Sequence, residues 1–473
     1  MIKKNKKKLV TAAAAALLLA TSAHAMRLDA GGHGQALWFP YYTVNGGHDT
    51  YFTLASTSWL GTVAKVRFLD ALHGRPVLDL DVYLAPYDTW TAAIYQTSPD
   101  AAPMLRTADR SCTVPAIPAE GVRFTTSGYD GTGTLPANAP QGIGRTREGA
   151  IEVIAGGSIT DGSPTAIAIT PATPGAAPPG CANLPGSLAS DIGVAYNDLS
   201  GSAAVIDVAG GEYYAYNADA IADLTDVALM PASGPLLPSL AQASKTAYYF
   251  SESSGSSNGG APQTATLPTG IDAVTVLFLS DTVANDYLVD PGLGATTDWI
   301  VSYPTRRFYL DPAYANLVAG SVGATVTNGF FDVDLFDREG AGVQPAPQSL
   351  RTSVSLPNDA VNVLTIAHGA DDASLLDSQF ATRLLVGPDA GLLRLRTAFP
   401  GFTGPWMMVG DARRMFGSAV SGFMAYNIVN ADALPGRLSN YGATFNHRLT
   451  KCDGPMPLPE SSCHRWAEQP QQP

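Results

Sequence analysis

From Leu37 to Ile94 the chain breaks into short β-rich runs separated by turn chemistry at intervals of about ten residues, and no other feature constrains the fold as much. Phe39–Val44 stops at Asn45-Gly46-Gly47, and Tyr51–Ala55 resumes the pattern. Val63–Leu69 sets Val63, Lys65 and Arg67 against Ala64, Val66 and Phe68, which predicts one wet face and one packed face. After the turn His73-Gly74-Arg75-Pro76, Val77–Leu84 sets Asp79, Asp81 and Tyr83 against Leu78, Leu80 and Val82. Pro86-Tyr87-Asp88 then leads into Trp90–Ile94. Strands of this length and spacing are those of an immunoglobulin-like sandwich.

Composition points the same way. Gly and Pro together make 82 of 473 residues, which leaves little room for long helices. Only 15% of residues are charged, fewer than amphipathic helices carry on their wet faces. The expected class is all-β: one or two immunoglobulin-like sandwiches with long loops and few short helices.

Five lysines between Lys3 and Lys8 precede an apolar run, Leu9–Ala20, and then Ser22-Ala23-His24-Ala25, a small-x-small cleavage site. Residues 1–25 therefore read as a secretory signal peptide, with Met26 as the first mature residue and no transmembrane segment after cleavage. Met26 is not cysteine, which argues against a lipid anchor. Loss of the five lysines takes the formal charge from −13 to −18. With basic residues scattered as singles and pairs such as Arg306-Arg307 and Arg413-Arg414, nucleic acid and anionic membranes are disfavoured as partners.

The four cysteines, Cys112, Cys181, Cys452 and Cys463, suit an oxidising compartment. Of three pairings, Cys112 with Cys181 and Cys452 with Cys463 is favoured because each encloses a loop-rich stretch. The chain divides into the signal (1–25), an N-terminal sandwich with disulfide-pinned loops (26–245), a second strand-rich domain (246–450) and a Pro-rich tail (451–473). Pro99–Gly149 and Thr160–Gly186 read as long loops, and Asn217–Leu224 and Ala313–Ala319 as short helices. The second half offers strands at Ala273–Ser280, Asp298–Tyr303, Arg307–Leu310, Gly329–Phe336, Ala360–Ile366, Leu392–Ala398 and Ala419–Tyr426.

Few residues suggest chemistry. Asp332, Asp334, Asp337 and Glu339 form the densest carboxylate cluster and are candidate calcium ligands, although a solvated strand face near Arg338 is the simpler reading. Gly255-Ser256-Ser257-Asn258-Gly259 matches the hydrolase elbow, with His368 and His447 downstream, but lacks the flanking strand and helix that would strain the serine. Tyr248-Tyr249-Phe250, Tyr213–Tyr216, Trp299 and Trp406 offer a sugar-stacking platform, or equally a half-buried sheet surface. His33, His48, His73, His368, His447 and His464 read as scattered surface groups. Irregular strand spacing and a proline terminus argue against a membrane barrel.

Gly34–Val44, Val66–Leu69, Val82–Thr91, Asp298–Tyr309 and Asn440–Arg448 resemble a group of exported envelope and surface proteins of Gram-negative bacteria. The resemblance covers most of the mature chain. It implies export and transfers no functional residue, since that group carries no assigned active site. The expected function is that of a non-catalytic envelope or surface protein in the periplasm, on the outer surface or outside the cell. It would act by binding, adhesion or self-assembly, with self or a surface glycan as partner. The alternative is an extracellular hydrolase or carbohydrate-binding protein acting on a polysaccharide.

Overall fold

Every run read between Leu37 and Ile94 forms a strand, and with later segments these build two antiparallel sheets. The computed structural model describes residues 25–126, 142–186, 190–230, 236–253, 261–321, 330–343, 353–357, 359–397, 406–409, 413–434 and 437–455, and they are mostly β. The first half contributes β1 (Arg27–Leu28), β2 (Ala36–Thr43), β3 (Asp49–Ser56), β4 (Gly61–Asp70), β5 (Pro76–Leu84), β6 (Thr89–Tyr95) and β7 (Met104–Arg106). It continues with β8 (Cys112–Val114), β9 (Val122–Arg123), β10 (Glu148–Ile159), β11 (Ile192–Gly193), β12 (Leu199–Asp207), β13 (Glu212–Asn217) and β14 (Asp219–Ala222). A central sheet runs β1-β14-β2-β10-β4-β5-β8, with β11 beside β10, and a front sheet runs β13-β12-β3-β6-β7-β9. They face each other across an aromatic core in which Phe52 meets Phe39, Phe68 and Trp90 edge to face at 6.0, 5.6 and 5.4 Å. Gly201 is required here, because a Cβ would stand 2.5 Å from the Phe39 ring.

The second half covers the other face of the central sheet. Its inner sheet orders Thr382–Leu385, Val361–Ala367, Ala295–Ser302, Phe423–Leu434 and Arg437–Asn446. Alternation along Ala295–Ser302 sends Ile300 into one core with Phe39 and Phe52, and sends Trp299 and Val301 into a second core. That second core is closed by Tyr287, Leu335 and Leu393 of a back sheet built on Thr282–Leu288, Phe330–Asp337 and Ala390–Arg396. The layers thus run front, central, inner, back. Strand pairing separates residues 27–222 from 246–455 almost completely, yet one continuous core spans both sets.

A charged seam joins central and inner layers. Glu152 of β10 lies between Arg67 of β4, at 3.3 Å, and Arg307 of the short helix α3 (Arg306–Leu310), and these side chains are 1%, 3% and 4% exposed. The β4–β5 turn plugs into the second half: Asp70 accepts the backbone N–H groups of Leu72, His73 and Arg75 and the guanidinium of Arg145. Arg75 reaches on to Asp311 in a two-point pair at 2.5 and 2.8 Å. Trp38 Nε1 donates to Ser302 Oγ at 3.0 Å. The face of β4 carrying Lys65 and Arg67 is therefore not a wet face, since the second half covers Arg67.

Other local expectations are corrected. Of Ala273–Ser280, the residues to Phe278 belong to a helix, α2 (Gly270–Phe278), capped by Thr269 accepting from Asp272 N, and only Leu279–Ser280 is extended, paired with Ser418–Ala419. The helix is buried on every side, so its apolar run carried no periodicity to tell helix from strand. Arg307–Leu310 is helical as α3, and Asn217–Leu224 is extended, since Asp219–Ala222 pairs with β1 and β2. The helical turn expected at Ala313–Ala319 is present, as a 3-10 turn over Pro312–Leu317. Pro99–Gly149 contains β7, β8 and β9, and Thr160–Gly186 contains α1 (Pro164–Ile169), capped by Ser163. The tail begins as a strand, Cys452–Pro455, inserted between Thr246–Ser253 and Arg413–Phe416. Cys112 is bonded to Cys181, tying β8 to the turn at Cys181–Gly186. No described cysteine is free, and Cys463 lies outside the described residues.

Removing one member of a buried ion triad strands the others, so Glu152→Ala is expected to cost about 3–5 kcal/mol in urea unfolding. The combination Arg67→Met, Glu152→Leu and Arg307→Met should recover most of that loss; failure to recover would mean the charges stabilise the seam in their own right. Replacing Cys112 and Cys181 by serine opens a loop of sequence separation 69 and should lower stability by about 4 kcal/mol in the chain-entropy account, read as a fall in melting temperature under non-reducing conditions.

Candidate functional site

Among the described residues, open grooves border these layers, and three of them bring polar or aromatic side chains together. The largest, 720 Å³, has a floor on the outer face of the front sheet: alternation along β3 turns Phe52 and Leu54 inward and Tyr51, Thr53 and Ala55 outward. Ser200 and Ser202 of β12 and Asn217 of β13 share this face, and Asp29 and His33 wall it. A second, 570 Å³, is lined by Leu28, Tyr248, Phe250, Leu449 and Lys451. The third, 610 Å³, lies between the Asn45–Asp49 turn and Ser98, Asp100, Arg147 and Asp377. There Gly46 at φ 62° packs so closely on Asp377 that a Cβ could not be accommodated.

Hydrogen bonding assigns the protonation of three histidines. His48 directs Nδ1 at the Asn45 carbonyl (2.9 Å) and Nε2 at the Glu212 carboxylate (3.3 Å), so both nitrogens donate and the ring is imidazolium. Burial by itself lowers its pKa, but Glu212 and the Asn45 carbonyl outweigh it, and the net shift is upward. Glu212 also accepts from Tyr214 Oη and from Asn427 Nδ2 of the inner sheet, each at 3.0 Å. His447 donates through Nε2 to the Ile300 carbonyl and accepts at Nδ1 from Asn285, so it is neutral, and burial pushes it down to about 4. His73 accepts from Arg145 at Nδ1 and is likewise lowered, chiefly by burial.

Further titratable groups serve the layers. Burial raises the carboxyl of Glu148, which accepts from Tyr41 Oη at 3.0 Å and Gln379 N at 2.9 Å across the seam. Burial pushes the Lys451 ammonium down to about 7 against the pull of Asp281 and Asp219. Its donation to the Leu277 and Leu279 carbonyls, at 2.5 and 2.7 Å, favours the charged form and makes it a cap on the C-terminus of α2.

The residues singled out in the sequence do not converge. Arg394 pairs with Asp334, and Arg396 with both Asp332 and Asp334, while Asp337 accepts the backbone N–H groups of Glu339 and Ala341. A calcium ion would have to displace two guanidiniums, and among the described residues no group of three or more His, Cys, Asp or Glu side chains is arranged to hold a metal. Gly255–Gly259 lies outside the described residues, as does His464. Trp299 is fully buried, Tyr214, Tyr216 and Tyr249 are buried, and Arg414 covers the half-buried Trp406 ring at 4.0 Å, whereas Tyr213 and Phe250 are exposed. His48 and His447 are core groups and not surface ones; His33 is exposed. The groove floor went unnoticed because its strands lie some 150 residues apart, and its only trace in the sequence is the alternation of Tyr51, Thr53 and Ala55.

Because the folded chain holds the His48 proton more tightly than the unfolded chain, the contribution of this group is complete below its ordinary value of 6.5 and is lost as pH rises through the folded-state value. Urea midpoints measured from about pH 6 to about pH 9 should fall with pH in the wild type and fall less steeply in His48→Gln. Parallel slopes would show that the ring is not charged in the fold. No protein-family model, curated protein or solved structure matches this chain.

Proposed function

We propose that this chain is an exported cell-envelope or surface protein that acts by binding, with its front and central sheets forming an immunoglobulin-like sandwich that presents the binding face. The observation that carries this reading is the 720 Å³ groove, whose floor side chains Thr53, Thr89, Ser200, Ser202 and Asn217 make no hydrogen bond within the described residues. The Arg, Glu and Asp side chains of the seam, by contrast, are engaged with each other. Export is supported by the Cys112–Cys181 disulfide, by the resemblance to exported envelope proteins, and by Met26, whose buried side chain and backbone bonds to Thr246 and Tyr248 suit it to begin the folded chain. No helix among the described residues is long and apolar enough to cross a membrane.

A second reading, hydrolysis of a polysaccharide, draws on the 610 Å³ groove, where Asp49, Asp100 and Asp377 surround His48 and burial raises the Asp49 carboxyl. Expression of the full chain in a Gram-negative host should yield a mature protein beginning at Met26 and accessible to protease on intact cells. Retention of the uncleaved chain in the cytoplasm would refute export, and release of reducing ends from a polysaccharide would favour the second reading.

A further inference from the structure

We propose that the outer face of the front sheet, with the 720 Å³ groove at its end, binds a neutral polysaccharide, stacking a sugar ring on Tyr51 and hydrogen-bonding its hydroxyls to Thr53, Ser202 and Asn217. This deepens the reading of the chain as a binding protein and rests on it.

Strand register makes the face. Thr91, Thr53, Ser202 and Asn217 stand opposite one another in one row across four strands, and Thr89, Ala55 and Ser200 form the next. At the usual strand spacing the longer row spans about 14 Å, which matches a short stretch of oligosaccharide better than a single ring. Hydroxyls and a carboxamide each donate and accept, as sugar hydroxyls do. With no intramolecular partner among the described residues, they exchange water for ligand without breaking a bond in the fold.

The following row is Ala93, Tyr51, Ala204 and Ala215, so the Tyr51 ring stands above alanines and is 43% exposed. Tyr213, 58% exposed, lies on the same face one row further on, opposite Ile206. Exposed aromatic faces beside small residues suit the apolar face of a pyranose. Charge selects the class of polymer. The two hydroxyl rows carry no formal charge; the alanine row continues past Ala93 to the exposed Arg106 of β7, while Asp29 lines the groove and Asp49 closes the far row, so acids outnumber the one base on this face and a neutral polymer is favoured over an anionic one.

The test is titration calorimetry of the mature chain with cellohexaose, maltohexaose and laminarihexaose, and with polygalacturonate as the anionic control. At least one neutral hexaose should bind and polygalacturonate should not. Tyr51→Ala and Asn217→Ala should each weaken binding about fivefold to tenfold, with melting temperatures unchanged. Phe250→Ala, in the other groove, should leave it unchanged. Absence of binding to all three hexaoses, equal binding of polygalacturonate, or an equal loss with Phe250→Ala would overturn the proposal. So would concentration-dependent dimerisation abolished by Tyr51→Ala, which would make this face a contact between copies. None of these outcomes alters whether the protein is exported and surface-accessible, on which the broader reading stands.

Discussion

The fold depends on keeping the carboxylate of Glu152 paired while it is sealed from water. A charge at that depth is tolerated only with partners in place. One partner, Arg67, lies on the neighbouring strand of the same sheet, but the other, Arg307, comes from the second half of the chain. The central sheet is therefore incomplete until the inner sheet docks, and the Asp70 turn and the Arg75–Asp311 pair fix where it docks. Hydrophobic burial supplies most of the driving force in such a stack. The ion pairs supply register, because a slip along the seam would leave several buried charges unpaired at once.

Trp38, Arg67, Ser302 and Arg307 line this seam, and all are buried. The outer surface is a separate matter: among the described residues, Thr53, Ser202 and Asn217 share no hydrogen bond or ion pair with the seam and can change without disturbing it.

Much of the strand pattern was legible in the sequence, since alternation and turn residues act locally. The face of β3 that carries Tyr51, Thr53 and Ala55 could be read directly. The status of a face could not: Val63, Lys65 and Arg67 alternate like a wet face because a face covered by matching charges has the same polarity as one covered by water. The apolar stretch of α2 was misread for a related reason, as burial on every side removes the periodicity that separates helix from strand. Only the partners that folding brings to the rings, two acceptors for His48 and a donor and an acceptor for His447, show that one is held charged and the other neutral.

What the sequence determined by itself is therefore local: strands and turns from Leu37 to Ile94, an all-β class, and the residue types available to each face. The tertiary structure decided which faces meet. It placed Glu152 against Arg307, separated by 155 residues in the chain, and brought Thr53, Ser202 and Asn217 into one row. Backbone alternation is set by neighbouring dihedral angles and appears in any short window, whereas the layering of sheets arises from long-range burial and charge matching that no short window contains.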